Sequence, residues 1–136
     1  MSRIDAFEAM LARGPDNEML RFSLGNACLA EARHSDAIEH LRRAVELKAD
    51  YSAAWKQLGR ALAANEEPAA ALVAFDRGLE AAGANGDKQT AKEIAVFRRR
   101  AARALDAGGE ASERTAGEPD GDEAGKENDG EVGERR

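Results

Sequence analysis

Nucleophilic, metal and phosphate chemistry each demand certain residue types at certain spacings, and few of those occur here. Cys28 is the only thiol, and His34 and His40 are the only imidazoles. A thiolate nucleophile needs a base or cation beside it, and nothing near Cys28 in the sequence supplies a recognised base motif. The two histidines stand six apart, so they cannot share a helix face as i, i+4 ligands would, and with Cys28 they match no zinc spacing. The chain contains no G-x-x-x-x-G-K-S/T, no G-x-G-x-x-G and no G-x-S-x-G, the loops that cradle phosphates or present a serine. Cys28 therefore reads as a core thiol and the histidines as surface or turn residues. No catalytic residue, no cofactor and no metal ligand is expected, and the chain does not read as an enzyme.

Charge offers a second kind of chemistry. Arg98, Arg99, Arg100 and Arg103 form the densest basic cluster, the type of patch that meets nucleic acid or an acidic partner. Nucleic acid is disfavoured, because the folded part carries no net charge and no stacking aromatics are expected near the cluster. The cluster is expected to be the solvated outer face of a last helix, a secondary basic patch on the surface opposite any groove. A nucleic-acid-associated factor is kept as the alternative.

The 136 residues carry a net charge of -6, and its placement divides the chain. Residues 1–107 hold 16 Lys/Arg and 16 Asp/Glu, whereas residues 108–136 hold 4 and 10. That last stretch also contains seven of the 13 glycines, no aromatic residue and one large aliphatic, Val132. Such a composition buries too little apolar surface to offset the entropy of ordering, so 108–136 is expected to be a disordered acidic tail behind a folded domain of residues 1–107. A single cysteine excludes an internal disulfide framework. No run of 18 apolar residues is present, as a transmembrane helix would need, and Asp5 interrupts the apolar stretch that a signal peptide requires. A soluble, cytoplasmic protein is the expectation.

The elements that must position these residues emerge from internal repetition. A shift of 34 residues aligns Leu24 with Leu58, Gly25 with Gly59, Ala27 with Ala61, Ala37 with Ala71, Arg43 with Arg77 and Glu46 with Glu80. Apolar partners fill the gaps, among them Cys28 with Leu62, Leu41 with Phe75 and Val45 with Leu79. Each period reads as two helices with apolar residues at i, i+3 and i+4: Arg21 to Glu31 and Ala37 to Leu47, then a pair around Trp55 to Leu62 and Ala71 to Leu79. Break signals fall at Arg33-His34-Ser35, Ala49 to Ser52, Asn65 to Pro68 and Gly83 to Gly86, and Pro68 suits the first turn of a helix. Alternating strand patterns are missing. The fold class expected is all-α.

These residues resemble the tetratricopeptide repeat, whose pattern is W-x2-L-G-x2-Y, then Ala, an aromatic or large residue, a small residue and Pro. Trp55, Leu58, Gly59, Leu62, Ala71, Phe75, Gly78 and Gly83 follow it in the second period; Arg21, Leu24, Gly25, Cys28, Ala37, Leu41, Ala44 and Ala49 follow it in the first. Arg21 in place of Trp, the two non-tyrosines and the missing prolines depart from it. The resemblance implies a short α-solenoid of antiparallel helix pairs with full repeats at about 18–51 and 52–85. Phe7, Met10 and Pro15 continue the register backwards, so 2–15 reads as an N-terminal half repeat. Forward, 87–106 reads as a C-terminal capping helix with Ile94, Phe97, Ala101 and Leu105 on one stripe; Lys92-Glu93 stands where Leu-Gly belongs. Arrays of this kind need polar-backed ends.

The resemblance also implies a function: an adaptor or scaffold that binds a protein or peptide in its concave groove. Groove positions carried over from the family are Phe22 and Asn26 on the first repeat and Lys56, Gln57 and Arg60 on the second. Lys56 and Arg60 share a face at i, i+4 and are expected to meet an acidic group or carboxylate of the partner. The full carboxylate clamp of some family members is absent, because Phe22 replaces its first lysine and the last helix offers Asp87 and Ala91. A third reading is a structural, self-associating protein whose first helix offers Ile4, Phe7 and Leu11, giving a monomer or weak homodimer. No membrane partner is expected.

Overall fold

The computed structural model describes the backbone of residues 2–115 and the side chains of residues 2–108. Among the described residues there are six helices and no strand: α1 (Arg3–Arg13), α2 (Glu18–Ala30), α3 (His34–Leu47), α4 (Ser52–Ala64), α5 (Pro68–Asn85) and α6 (Lys88–Thr115). Met1–Ala102 is one compact unit, and a second begins at Arg103. The expected tail covers residues whose side chains are not described, and 116–136 lie outside the described residues altogether. The backbone of α6 runs on to Thr115, past the Gly108 at which composition sets the tail.

Local chemistry explains several of the helix ends. Ser2 caps α1 in a reciprocal box: its hydroxyl accepts from Asp5 N while the Asp5 carboxylate accepts from Ser2 N, so two orphan donors are satisfied together. Asn17 Oδ1 accepts from Leu20 N at 2.8 Å and starts α2. Pro68 occupies the first turn of α5, where its missing N–H costs nothing. Gly86, at φ +71°, closes the far end of α5. The expected boundaries shift by a few residues, most clearly at α3, which begins at His34 rather than Ala37.

Glycine sets how closely the two helices of a repeat approach. A Cβ on Gly25 would fall inside the Leu41 side chain, and one on Gly59 inside the Phe75 ring. Both partners are fully buried on the second helix of the same repeat. The core continues through Leu24, Ala27, Cys28, Ala37, Ala44, Leu58, Ala61, Leu62, Ala71 and Ala74. At the front end Ile4 is 1% exposed and joins this core, with Phe7 and Leu11 packed against it. Ile4 is therefore taken up by the first repeat and does not serve a self-association face, and Phe7 and Leu11 are partly covered.

The turns inside the two repeats copy one another. Arg33 N donates to Cys28 O at 2.8 Å, and Glu67 N donates to Leu62 O at 2.9 Å. Each turn passes through a left-handed residue, Ala32 at φ 60° and Glu66 at φ 61°. A side chain there crowds the following carbonyl, a cost glycine avoids. Glu66→Gly should therefore raise stability by about 0.5–1 kcal/mol, the glycine's extra unfolded-state entropy offsetting part of the relief. A urea midpoint equal to or below that of the wild type would contradict this.

Candidate peptide-binding groove

Three side-chain contacts run in the same order along α4 and α6. Ser52 Oγ donates to Asp87 Oδ2 at 3.2 Å, Lys56 Nζ donates to Glu93 Oε1 at 2.7 Å, and the Arg60 guanidinium lies 4.7 Å from the centroid of Phe97. Because the order is kept, the two helices point the same way, and the start of α6 stands where the first helix of a next repeat would. Thr90 N donates to Asp87 Oδ1 at 3.1 Å and fixes that start. Hydrogen bonding from Thr90, through its side chain first and then its backbone, and from Ser52 holds the Asp87 carboxyl below the usual range. Ile94 is fully buried and faces Gly78, anchoring the helix from the core side.

Between α2 and α4 the order is likewise kept. Phe22 and Tyr51 tilt against each other with ring centroids 5.0 Å apart, and Gln57 Nε2 donates to Asn26 Oδ1 at 2.7 Å. The five groove positions Phe22, Asn26, Lys56, Gln57 and Arg60 therefore lie on the face formed by α2, α4 and α6, but not all of them are free. Lys56 is not an open cation. Its side chain is 20% exposed and ion-paired with Glu93, whose carboxyl is held below the usual range first by that Lys56 hydrogen bond and then by Gln89. The expected Lys56/Arg60 anion contact thus reduces to Arg60, whose Nη1 donates to Gln57 Oε1 at 3.1 Å.

The basic cluster also divides. Arg98 is paired with Asp76 at 2.7 Å, Arg99 is exposed, and Arg103 belongs to the second unit. Arg100 reaches the opposite way from what the sequence suggests, with its guanidinium 5.5 Å from the same Phe97 ring that carries Arg60. An aromatic does stand beside the cluster, and Arg100 is not on a surface opposite the groove. The signal was present as Phe97 next to Arg98; only the register of α6 against α4 reveals its use.

A second polar network ties the front of the array. Arg21, in the family's tryptophan position, pairs with Asp16 at 2.8 Å, and Asp16 also receives Arg43 at 3.0 Å. These two arginines, Arg21 first, hold the Asp16 carboxyl below the usual range. Arg21 Nη1 donates to His40 Nδ1 at 2.9 Å, which requires a neutral imidazole. Burial and the Arg21 charge depress the His40 pKa, while Glu39, Asp36 and Glu8 pull it weakly upward. With the folded value below the unfolded one, near 6.5, His40 favours folding fully above that pH and loses its contribution as pH falls through the folded value. The thermal midpoint should drop from pH 7 to pH 5 in the wild type, and His40→Gln should flatten that segment. Equal slopes in both proteins would remove His40 from the network's pH response.

Cys28 is fully buried, and burial pushes its thiol up, away from thiolate chemistry. Among the described residues no three His, Cys, Asp or Glu side chains converge to hold a metal ion, and no helix is long and apolar enough to cross a membrane. No family model matches the chain. One curated relative does: TPR repeat-containing protein PA0015 of Pseudomonas aeruginosa is 46% identical over 101 residues, covering 74% of this chain and 96% of its own. The chain belongs to the tetratricopeptide repeat family. Protein BPP2914 from Bordetella parapertussis, solved in solution, is 43% identical, with a TM-score of 0.67 over 76% of this tetratricopeptide protein and 90% of that one. The TPR2B domain of yeast Sti1, solved in a pHsp70 complex, has a TM-score of 0.69 at 21% identity over 74% and 80%. MamA has 0.54 at 19% over 79% and 69%. The last two likenesses are of fold.

Proposed function

We propose that this tetratricopeptide protein is a non-enzymatic interaction module that holds a peptide or protein partner on the face shared by α2, α4 and α6. The observation that carries this is the alignment of Phe22, Tyr51, Asn26, Gln57, Arg60 and Phe97 along that face, where half-buried aromatic and amide groups stand beside an exposed guanidinium. Half-buried aromatics with a neighbouring arginine are what binding surfaces use as anchors. A repeat protein of the same fold solved with a pHsp70 supports a polypeptide as the ligand. The nucleic-acid alternative is weakened by the Arg98–Asp76 pair, which takes one cation out of the basic cluster.

Cross-linking in the producing cell tests this. A photoreactive amino acid placed at Asn26 should capture another polypeptide, while the same group at exposed Glu39 on α3 should not. Capture from Glu39 with none from Asn26 would move the binding face to the second helices.

A further inference from the structure

We propose that the second repeat carries, outside the groove, a site for a carboxylate joined to a small apolar group, held between Trp55 and Arg77. It does not depend on the groove reading above. Trp55 precedes Lys56 on α4, so the two point about 100° apart around the helix, and Trp55 stands against Gly78 of α5 rather than on the groove face. Ala49, Asp50, Trp55, Arg77, Glu80 and Ala81 line a cavity of about 310 Å³. That is the low end of the range for small-molecule sites, roughly 300–1,000 Å³.

The first repeat shows what such a site holds. Four positions recur 34 residues apart: Asp16 and Asp50, Arg21 and Trp55, Arg43 and Arg77, Glu46 and Glu80. In the first repeat the Asp16 carboxylate stands between two guanidinium groups. It accepts from Arg21 Nε at 2.8 Å and from Arg43 Nε at 3.0 Å, while Arg43 Nη1 donates to Glu46 at 3.2 Å. In the second repeat an indole replaces Arg21, and Lys48 stands where the first repeat has Gly14. The Asp50 carboxylate pairs with that lysine at 3.3 Å, and its side chain is 59% exposed against 27% for Asp16. Arg77 is exposed and lies 5.7 Å from the centroid of the Trp55 ring. Among the described residues it has no carboxylate within ion-pair distance, whereas Arg21, Arg33, Arg43 and Arg98 each have one. A ligand carboxylate would do for Arg77 what Asp16 does for Arg43, through the paired hydrogen bonds a guanidinium fork offers. Glu80 does not bar it, because Arg43 carries two carboxylates at once, one on Nε and one on Nη1.

The rest of the ligand follows from the walls. Trp55 Nε1 donates to Ala49 O at 2.7 Å, and Asn85 Nδ2 donates to Asp50 O at 2.9 Å. The indole and the turn before α4 are thereby tied to each other and to the end of α5, so binding need not order them. Trp55 is half-buried and Ala81 is buried. An aliphatic or aromatic group attached to the carboxylate would cover the part of the ring still in water. Two sources carry this chemistry, a free organic acid and an acidic residue of a polypeptide.

Trp55 is the only tryptophan in the chain, so its fluorescence reports on the site directly. The full chain is titrated with 3-phenylpropionate and with acetyl-Phe-Asp-amide, each against its neutral counterpart, 3-phenylpropionamide and acetyl-Phe-Asn-amide. At least one carboxylate should change the Trp55 emission saturably, and its counterpart should bind about tenfold more weakly. The tighter of the two carboxylates names the source, free acid or polypeptide. Arg77→Gln, at an exposed position and with its folding checked by far-UV circular dichroism, should bind acid and amide alike. Arg77→Lys, which keeps the charge but not the fork, should fall between, and Arg43→Gln should bind as the wild type does. Equal binding of acid and amide by the wild type, no saturable change with any of the four probes, or an acid preference that survives in Arg77→Gln would overturn the proposal.

Discussion

Phe75→Ala should destabilise the protein by about 3–5 kcal/mol, the range for truncating a fully buried aromatic ring. Phe75 has no exposed surface, fills the space Gly59 leaves open and supports Phe97 at 6.3 Å, so its loss opens a cavity on two sides. A small domain has only about 5–15 kcal/mol in total, and the urea midpoint should fall steeply. The companion measurement is a double-mutant cycle. Gly59→Ala alone should be clearly destabilising because its Cβ meets the ring, yet nearly silent in the Phe75→Ala background, where that space is empty. Additive effects would show that Gly59 and Phe75 do not set the helix spacing together.

Ile94→Asp is expected to undock α6. The side chain is fully buried and faces Gly78, and an unpaired carboxylate there costs several kcal/mol even after relaxation. In a linear array each element is held chiefly by its neighbours, so the damage should be graded. Amides of Lys88 to Ala102 should lose hydrogen-exchange protection first and most, α4 and α5 partly, and α2 and α3 least. Ile94→Leu, which keeps the volume, should stay within about 1.5 kcal/mol of wild type. Uniform loss of protection across all helices would mean the chain unfolds as one unit and that α6 is no separable cap.

The fold was legible because its determinants recur at one spacing. Gly25 and Gly59 stand 34 residues apart, as do their contacts Leu41 and Phe75, and a side chain that must fit against a missing Cβ leaves a mark in both copies. The groove was legible only in part. Between α2 and α4 the contacts Phe22–Tyr51 and Asn26–Gln57 span 29 and 31 positions, whereas between α4 and α6 Lys56 meets Glu93 and Arg60 meets Phe97, each 37 positions on. The cap begins after a longer helix, α5, which runs on through Gly83 to Asn85 rather than breaking there. Ion pairs such as Lys56–Glu93 and hydrogen bonds such as Arg21–His40 depend on that register and on long, flexible side chains, which local periodicity does not encode.

The α4–α6 seam has one more consequence, for how the array comes apart. Stacked repeats fray from their termini, and Ser52–Asp87, Lys56–Glu93 and Arg60–Phe97 are the stitches at the terminus of the first unit. A partner that touched both α4 and α6 would add a stitch there, joining the two helices through the ligand. Occupancy would then act as a splint on that end, with the gain following the ligand concentration by mass action. The bound protein would resist proteases at its last helix while its front repeat behaved as before.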